Sequence, residues 1–294
     1  MHARTARLPL CAAGLAAILA AALAGCAAAG SGASGTARTA SASPLAVVRL
    51  AAKTTDGASS FTGTMHLTAT AKGDGAPSGA VISMSGSMTE RLRPSVLAQV
   101  QIGSISEGGQ TVPGGMSEVL TPSDLYLKYP ALTQELGTSK PWVVMPVSAL
   151  SKSTGVNFSQ LFSQSTSTSP LNESQLLAGA SNVRKVGTGT IDGVPVTEYA
   201  GSISLDKGLP YLTGSFRASM QKEIAEAGLT SAAFTVWVDG QTVMRKAVIT
   251  ENGTMLSEVV TVTISSLNQP VNIQVPAADQ TTPMPSSALG SLSS

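Results

Sequence analysis

Cysteine and histidine are almost absent. The 294-residue chain has two of each: Cys11 and Cys26, His2 and His66. Beyond residue 25 that leaves one Cys and one His, so neither a disulfide framework nor the usual His/Cys zinc sets can be assembled there. Aromatic residues make up 4% and charged residues 12% of the chain, so solubility leans on Ser, Thr, Gln and Asn. The formal net charge is +1. No basic cluster invites nucleic acid. There is no G-x-S-x-G elbow, no H-E-x-x-H and no G-x-x-x-x-G-K-[ST]. Ser219-Met-Gln-Lys222 fits S-x-x-K, but neither S-D-N nor K-T-G accompanies it, and it reads as a solvated helix face. Asp and Glu are scattered without an evident pair. These absences speak against an enzyme, and nothing calls for a metal or cofactor.

What is present begins at the N-terminus. Arg4 and Arg7 precede an uncharged run from Leu8 to Gly25, the pattern of a secretion signal. The run is short for a permanent span and gives way to a Gly/Ser-rich stretch. It ends in Leu23-Ala24-Gly25-Cys26, which resembles the lipobox of bacterial lipoproteins. A thiol there accepts a diacylglycerol as a thioether, and the small residues before it admit the peptidase. Residues 1–25 therefore read as a signal peptide and Cys26 as the lipidation site, which places the mature chain on the outer face of a membrane. Without Arg4 and Arg7 the formal net charge becomes −1.

Residues 26–44 are mostly Ala, Gly, Ser and Thr and read as a flexible stalk. Residues 277–294 read as a polar, disordered tail. Between them, 45–276 is long enough for one sizeable domain. It opens with a helix over Leu45–Lys53, started by Pro44. The period then changes to two. Phe61, Gly63, Met65, Leu67 and Ala69 alternate with Thr62, Thr64, His66, Thr68 and Thr70, giving a strand with an apolar face and a threonine face. Ile82, Met84, Gly86 and Met88 continue the pattern, as do Val96, Ala98, Val100 and Ile102. Further strands are expected at 117–120, 124–129, 142–145, 183–190 and 195–205. Short helices are expected around Phe158–Phe162 and from Asn172, and a longer one over Ser215–Ala227. A meander follows: Phe234, Val236 and Val238; Val243, Ala247 and Ile249; Leu256, Val260, Val262 and Ile264. Asp192-Gly193, Asp239-Gly240 and Asn252-Gly253 supply hairpin chemistry. Strands in blocks with few helices argue an antiparallel α+β fold.

Met65, Met84, Met88, Met145, Met244 and Met255 recur in or near the strands, beside small residues such as Gly63, Gly86 and Ala98. This reads first as an ordinary core of small residues and Met, and second as a cavity, since Met fills irregular space and small residues leave room above the backbone.

The order of several motifs resembles a known family. After the lipobox and stalk come Phe61-Thr-Gly-Thr-Met-His-Leu67, Asp124-Leu-Tyr-Leu-Lys128, Leu176-Leu177, and Gly187-Thr-Gly-Thr-Ile-Asp-Gly-Val-Pro-Val-Thr-Glu-Tyr199. Phe234-Thr-Val-Trp-Val-Asp-Gly240 and Val271-Asn-Ile-Gln-Val-Pro276 close the series. Together they look like the actinobacterial LppX/LprG-type lipoproteins of the LolA-like superfamily, in keeping with the Ala- and Gly-rich composition. The resemblance implies a half-barrel: one curved antiparallel sheet whose concave face is capped by helices, with lipid acyl chains held between. The chain departs from that pattern in its Ser- and Thr-rich stretch at 163–169, where the helical lid would lie. The expected lining is the apolar strand set Phe61, Met65, Leu67, Ile82, Met84, Met88, Val100, Ile102, Val236 and Val238. The expected partners are a lipid or glycolipid ligand and the membrane at Cys26, with no nucleic acid. The alternative is a surface lipoprotein with a filled core that binds an envelope protein or senses the envelope's state.

Overall fold

The computed structural model describes residues 42–56, 58–72, 80–112, 115–154, 180–211, 217–218, 221–222, 224–225 and 228–285. Cys26, the stretch 163–169, the expected helices around Phe158–Phe162 and from Asn172, and residues 286–294 lie outside these.

Helix α1 (Pro44–Asp56) runs longer than the expected Leu45–Lys53. Pro44 occupies its first turn, where a missing N–H costs nothing, and the Ser43 hydroxyl accepts the Ala46 N–H at 3.3 Å. Val47, Val48, Ala51 and Ala52 recur at helical spacing and are all buried. They pack on Ile203, Phe234, Val236, Val238 and Ala247 of the sheet. At the far end of α1, the Met244 N–H donates to the Thr55 hydroxyl at 3.0 Å.

The strands are β1 (Ser60–Ala71), β2 (Val81–Arg91), β3 (Leu97–Glu107), β4 (Gln110–Val112), β5 (Met116–Leu120), β6 (Asp124–Lys128), β7 (Trp142–Pro146), β8 (Ala180–Ile191), β9 (Val194–Ser204), β10 (Ser231–Asp239), β11 (Met244–Asn252), β12 (Leu256–Leu267) and β13 (Thr281–Pro283). They form one open, curved, 13-stranded sheet in the order β13-β7-β6-β5-β3-β2-β1-β12-β11-β10-β9-β8, with β4 also paired to β3. Every pairing is antiparallel except β13 with β7. Short helices α2 (Pro130–Glu135), α3 (Val147–Thr154) and α4 (Leu205–Gly208) lie in connections. Residues 217–218, 221–222 and 224–225 are helical, in keeping with the helix expected over Ser215–Ala227.

Two bulges bend the centre of the sheet. The register of β1 on β12 shifts between Thr62 and Gly63, and that of β2 on β3 shifts between Ser85 and Gly86. At each bulge the neighbouring backbone folds over the glycine. A Cβ at Gly63 would overlap the Thr263 carbonyl oxygen, and one at Gly86 the Gln101 carbonyl oxygen. The open space expected above Gly86 is therefore occupied by the main chain of β3. Bulges increase local twist and bend the strand that carries them.

The hairpins divide into two kinds. Asp192 and Gly193 both have positive φ, 49° and 79°, as a type I′ turn requires. Asp239-Gly240 instead belongs to a longer loop in which Thr242 takes the left-handed conformation, with φ 58°. Asp239 organises that loop. Its Oδ1 accepts the N–H groups of Gln241 (2.8 Å) and Val243 (2.9 Å), and its Oδ2 is held by Arg245 at 2.8 Å. Asn252-Gly253 likewise opens a wider loop, closed by Gly253 N–H donating to the Leu256 carbonyl at 2.7 Å.

Part of the stretch expected to be a polar tail, from residue 277, is built into the sheet. Ala278–Gln280 form a 3-10 turn and Thr281–Pro283 form β13 at the sheet edge. Lys140 Nζ donates to the Thr281 carbonyl at 2.9 Å, and the Thr138 and Thr282 hydroxyls meet at 2.7 Å. Upstream, Ile273 packs with Leu97 and Val119 on the sheet's second face.

Candidate functional site

Side chains alternate between the two faces of a strand, so register decides which residues share a face. Across β1, β2 and β3, Gly63, Met88 and Val100 are neighbours; so are Met65, Gly86 and Ile102, and so are Leu67, Met84 and Ile105. On the other side of β1, Met65 opposes Val262 and Leu67 opposes Val260, and Val262 in turn opposes Ala247, which opposes Val236. The whole expected lining set, from Phe61 to Val238, therefore lies on one apolar face. The opposite face carries Thr64, His66, Thr68, Ser85 and Ser87.

The apolar face is not uniformly covered. Around β1, β2 and β12 it is packed: Phe61 and Leu67 are each 1% exposed, and Met65, Met84, Met88 and Ile102 join them in one cluster, with Ile82 and Val100 against its edge. Val236 and Val238 belong to the second cluster, beneath α1. Farther out, on β3, β5 and β6, Ala98, Val100, Met116, Leu120 and Leu127 are only half-buried. That strip is an apolar surface to which solvent still has access.

Four glutamates interrupt the apolar face, and sequence reasoning found no pair among them. Glu90 stands opposite Phe61 and Ala98. Glu118 stands opposite Val100 and Leu127, on the half-buried strip. Glu251 and Glu258 face each other across β11 and β12. Burial pushes Glu90 up to about 8, with the Glu118 charge adding to the shift. Burial alone lifts Glu118 to about 7. Glu258 rises to about 7 through burial and the charge of Glu251, which burial also raises. Apolar surroundings disfavour the ionised form, and a second carboxylate disfavours it further. At neutral pH Glu90 is therefore largely protonated and Glu118 and Glu258 are protonated in part; in that form each offers an O–H donor as well as acceptors. The signal was in the alternation: Glu90 follows Met88 by two, Glu118 follows Met116 by two, and Glu258 precedes Val260 by two.

The opposite face holds an open groove of about 960 Å³, lined by Thr64, His66, Ser85, Ser87, Gln101 and Lys128 among others. Met65 and Ile102 border it too, though their side chains are buried on the apolar side. His66 is exposed there, away from the four glutamates. Lys222 of the S-x-x-K match is exposed on its helix, and Ser219 lies outside the described residues. Among the described residues, no group of three or more His, Cys, Asp or Glu is placed to hold a metal, and no helix is long and apolar enough to cross a membrane.

No protein-family model and no curated protein matches the chain. Among solved structures it is similar to the lipoprotein LppX of Mycobacterium tuberculosis, with 21% identity over 79% of this chain and 98% of that one and a TM-score of 0.46. It is also similar to LprF from Mycobacterium bovis, with 14% identity over 80% and 97% of the two chains and a TM-score of 0.43. A third likeness is to the Pseudomonas aeruginosa MucA/MucB complex, with 15% identity over 75% of this chain and 54% of that one and a TM-score of 0.31. The first two are of the actinobacterial lipoprotein type that the sequence resembles. At these identities the likenesses are of fold, and no residue role passes from them to this chain.

Proposed function

We propose that this chain is an extracytoplasmic lipoprotein, tethered through Cys26, that binds the acyl chains of a lipid or glycolipid on the apolar face of its sheet. The observation that carries the reading is the half-buried strip of Ala98, Val100, Met116, Leu120 and Leu127, which continues a packed apolar face outward to solvent. Acyl chains laid on it gain roughly 0.8 kcal/mol for each CH₂ removed from water. Binding of this kind needs no nucleophile, metal or covalent step, and the reading includes no catalysis. Helices capping the apolar face beyond α1 belong to the same proposal.

The complete packing of Phe61, Met65 and Leu67 favours a second reading, in which the core is filled and the protein serves as an interaction module for an envelope partner. Organic extraction of the purified, unlipidated protein followed by mass spectrometry separates the two. Co-purifying acyl lipid, together with saturable uptake of a fluorescent fatty acid, is expected. Absence of both overturns the lipid reading in favour of the second.

A further inference from the structure

Glu90 and Glu118 are out of place as ordinary strand residues. Each sits where the alternation calls for an apolar side chain, and each faces the interior side of the sheet. Glu90 is 6% exposed, and no hydrogen bond of its side chain is found among the described residues, though its oxygens are not wholly cut off from solvent. Ionised, a carboxylate so placed is disfavoured by desolvation, and as a neutral acid it still lacks a protein partner for its O–H. A filled core gains nothing from a second such group beside the first. A ligand-bearing face does, because the missing hydrogen-bond partner arrives with the ligand. Glu118 lies on the half-buried strip itself, so the pair marks where a polar group can sit among acyl chains.

We propose that Glu90 and Glu118 form a polar seat that hydrogen-bonds the ester carbonyl and hydroxyl oxygens of an acyl lipid whose chains lie along the neighbouring apolar strip. The proposal rests on the lipid-binding reading above and adds the part of the ligand that is recognised. As neutral acids, the two groups donate to ester carbonyls and accept from hydroxyls. Once ionised, they lose their donors, repel one another and draw in water, so the same seat releases its ligand as pH rises. Among the described residues, the titratable group facing Glu90 is Glu118. Arg91 turns to the opposite side and bonds to Ser95, Asp124 and Lys128 alternate to that side as well, and Lys152 of α3 is exposed. Arg93 has a buried Nη2 without a hydrogen-bond partner among the described residues, but neither it nor any other cation is among the causes that shift Glu90 or Glu118.

The test uses the full mature chain with Cys26→Ala and two fluorescent probes: a diacylglycerol analogue, and diphenylhexatriene, which has no hydrogen-bonding group. Diacylglycerol binding by the wild type is expected to weaken at least tenfold between pH 6 and pH 9, while diphenylhexatriene binding changes little. Glu90→Gln/Glu118→Gln keeps donors and acceptors without a titrating proton, so it should bind the diacylglycerol analogue with no pH dependence. Glu118→Gln alone, at the more accessible site, should show a reduced pH dependence and guards against a double variant that fails to fold. A double variant with the wild-type pH profile, or a wild type that does not distinguish the probes in their pH dependence, overturns the seat and leaves lipid binding standing. Failure of the wild type to bind either probe at any pH overturns both.

Discussion

Glu251 on β11 and Glu258 on β12 stand directly opposite each other, both on the apolar face of the sheet. Directly opposed like charges destabilise a strand pair. The pair is tolerated because burial raises both groups, Glu258 to about 7. The same holds for Glu90, near 8, and Glu118, near 7. In each case the folded state binds its proton more tightly than the unfolded chain, whose glutamates titrate near 4.5. The contribution to stability is fully present below that value and is lost as pH rises through about 7 to 8. Thermal unfolding should therefore show a higher Tm at pH 5 than at pH 8.5. A flat profile, or one rising with pH, would contradict the burial of these groups.

Glu258→Gln removes the titrating proton and keeps the shape. It should raise Tm at pH 8.5 and leave it nearly unchanged at pH 5. For a domain of this size each kcal/mol recovered shifts Tm by about 2–4 °C. Calorimetry at the two pH values reads the difference directly.

Gly86→Ala should destabilise the protein by about 1–3 kcal/mol, because the new methyl group meets the Gln101 carbonyl across the bulge. Ala98→Trp places bulk on the half-buried strip instead. It should block uptake of a fluorescent fatty acid while shifting Tm by only a few degrees. Loss of fold at Ala98→Trp with lipid uptake intact in Gly86→Ala would mean that the strip is core.

Asp239→Ala should cost about 3–5 kcal/mol, since it strips the loop of its buried organiser and leaves Arg245 without its carboxylate. Asp239→Asn keeps an oxygen for the Gln241 and Val243 N–H groups and should recover part of that loss. Urea unfolding of the two variants measures the difference; equal destabilisation would assign the whole effect to the ion pair.

Cys26→Ala should release the protein from membranes into the high-salt soluble fraction, because the two acyl chains of a lipidated cysteine supply stable anchoring. Persistence of the variant in the membrane pellet would refute the lipobox reading.

The parts of the fold set by alternation were legible in the sequence. Phe61 to Ala69, Met84 to Met88 and Phe234 to Val238 read as strands, and their apolar residues do share one face. Asp192-Gly193 read as a tight hairpin because two adjacent positive φ angles are a local requirement that those residue types meet. Asp239-Gly240 looked the same and is different. Its geometry depends on Arg245 and on two amides beyond the turn, which a dipeptide cannot announce. Gly86 was misread as spare room because the space above a glycine is decided by the adjacent strand, and β3 bulges into it. The glutamates were missed because they were sought as neighbours in sequence, whereas register across β2, β3 and β5 brings Glu90 near Glu118. β4 follows directly on Gly108-Gly109 and is too short to show a period. β13 is only Thr281–Pro283, recognisable as a strand solely by the β7 edge that receives it.

That parallel contact orders the making of the sheet. Thr138 and Thr282, whose hydroxyls meet beside β7 and β13, are separated by 144 positions along the chain. During synthesis, β7 emerges long before the segment that will lie against it. Until residues 281–283 arrive, its outer amides and carbonyls face water or any passing strand, a known route to mispairing. The β13 seam is thus a finishing stitch: a chain interrupted anywhere before it presents an unfinished hem that quality-control proteases and chaperones can recognise.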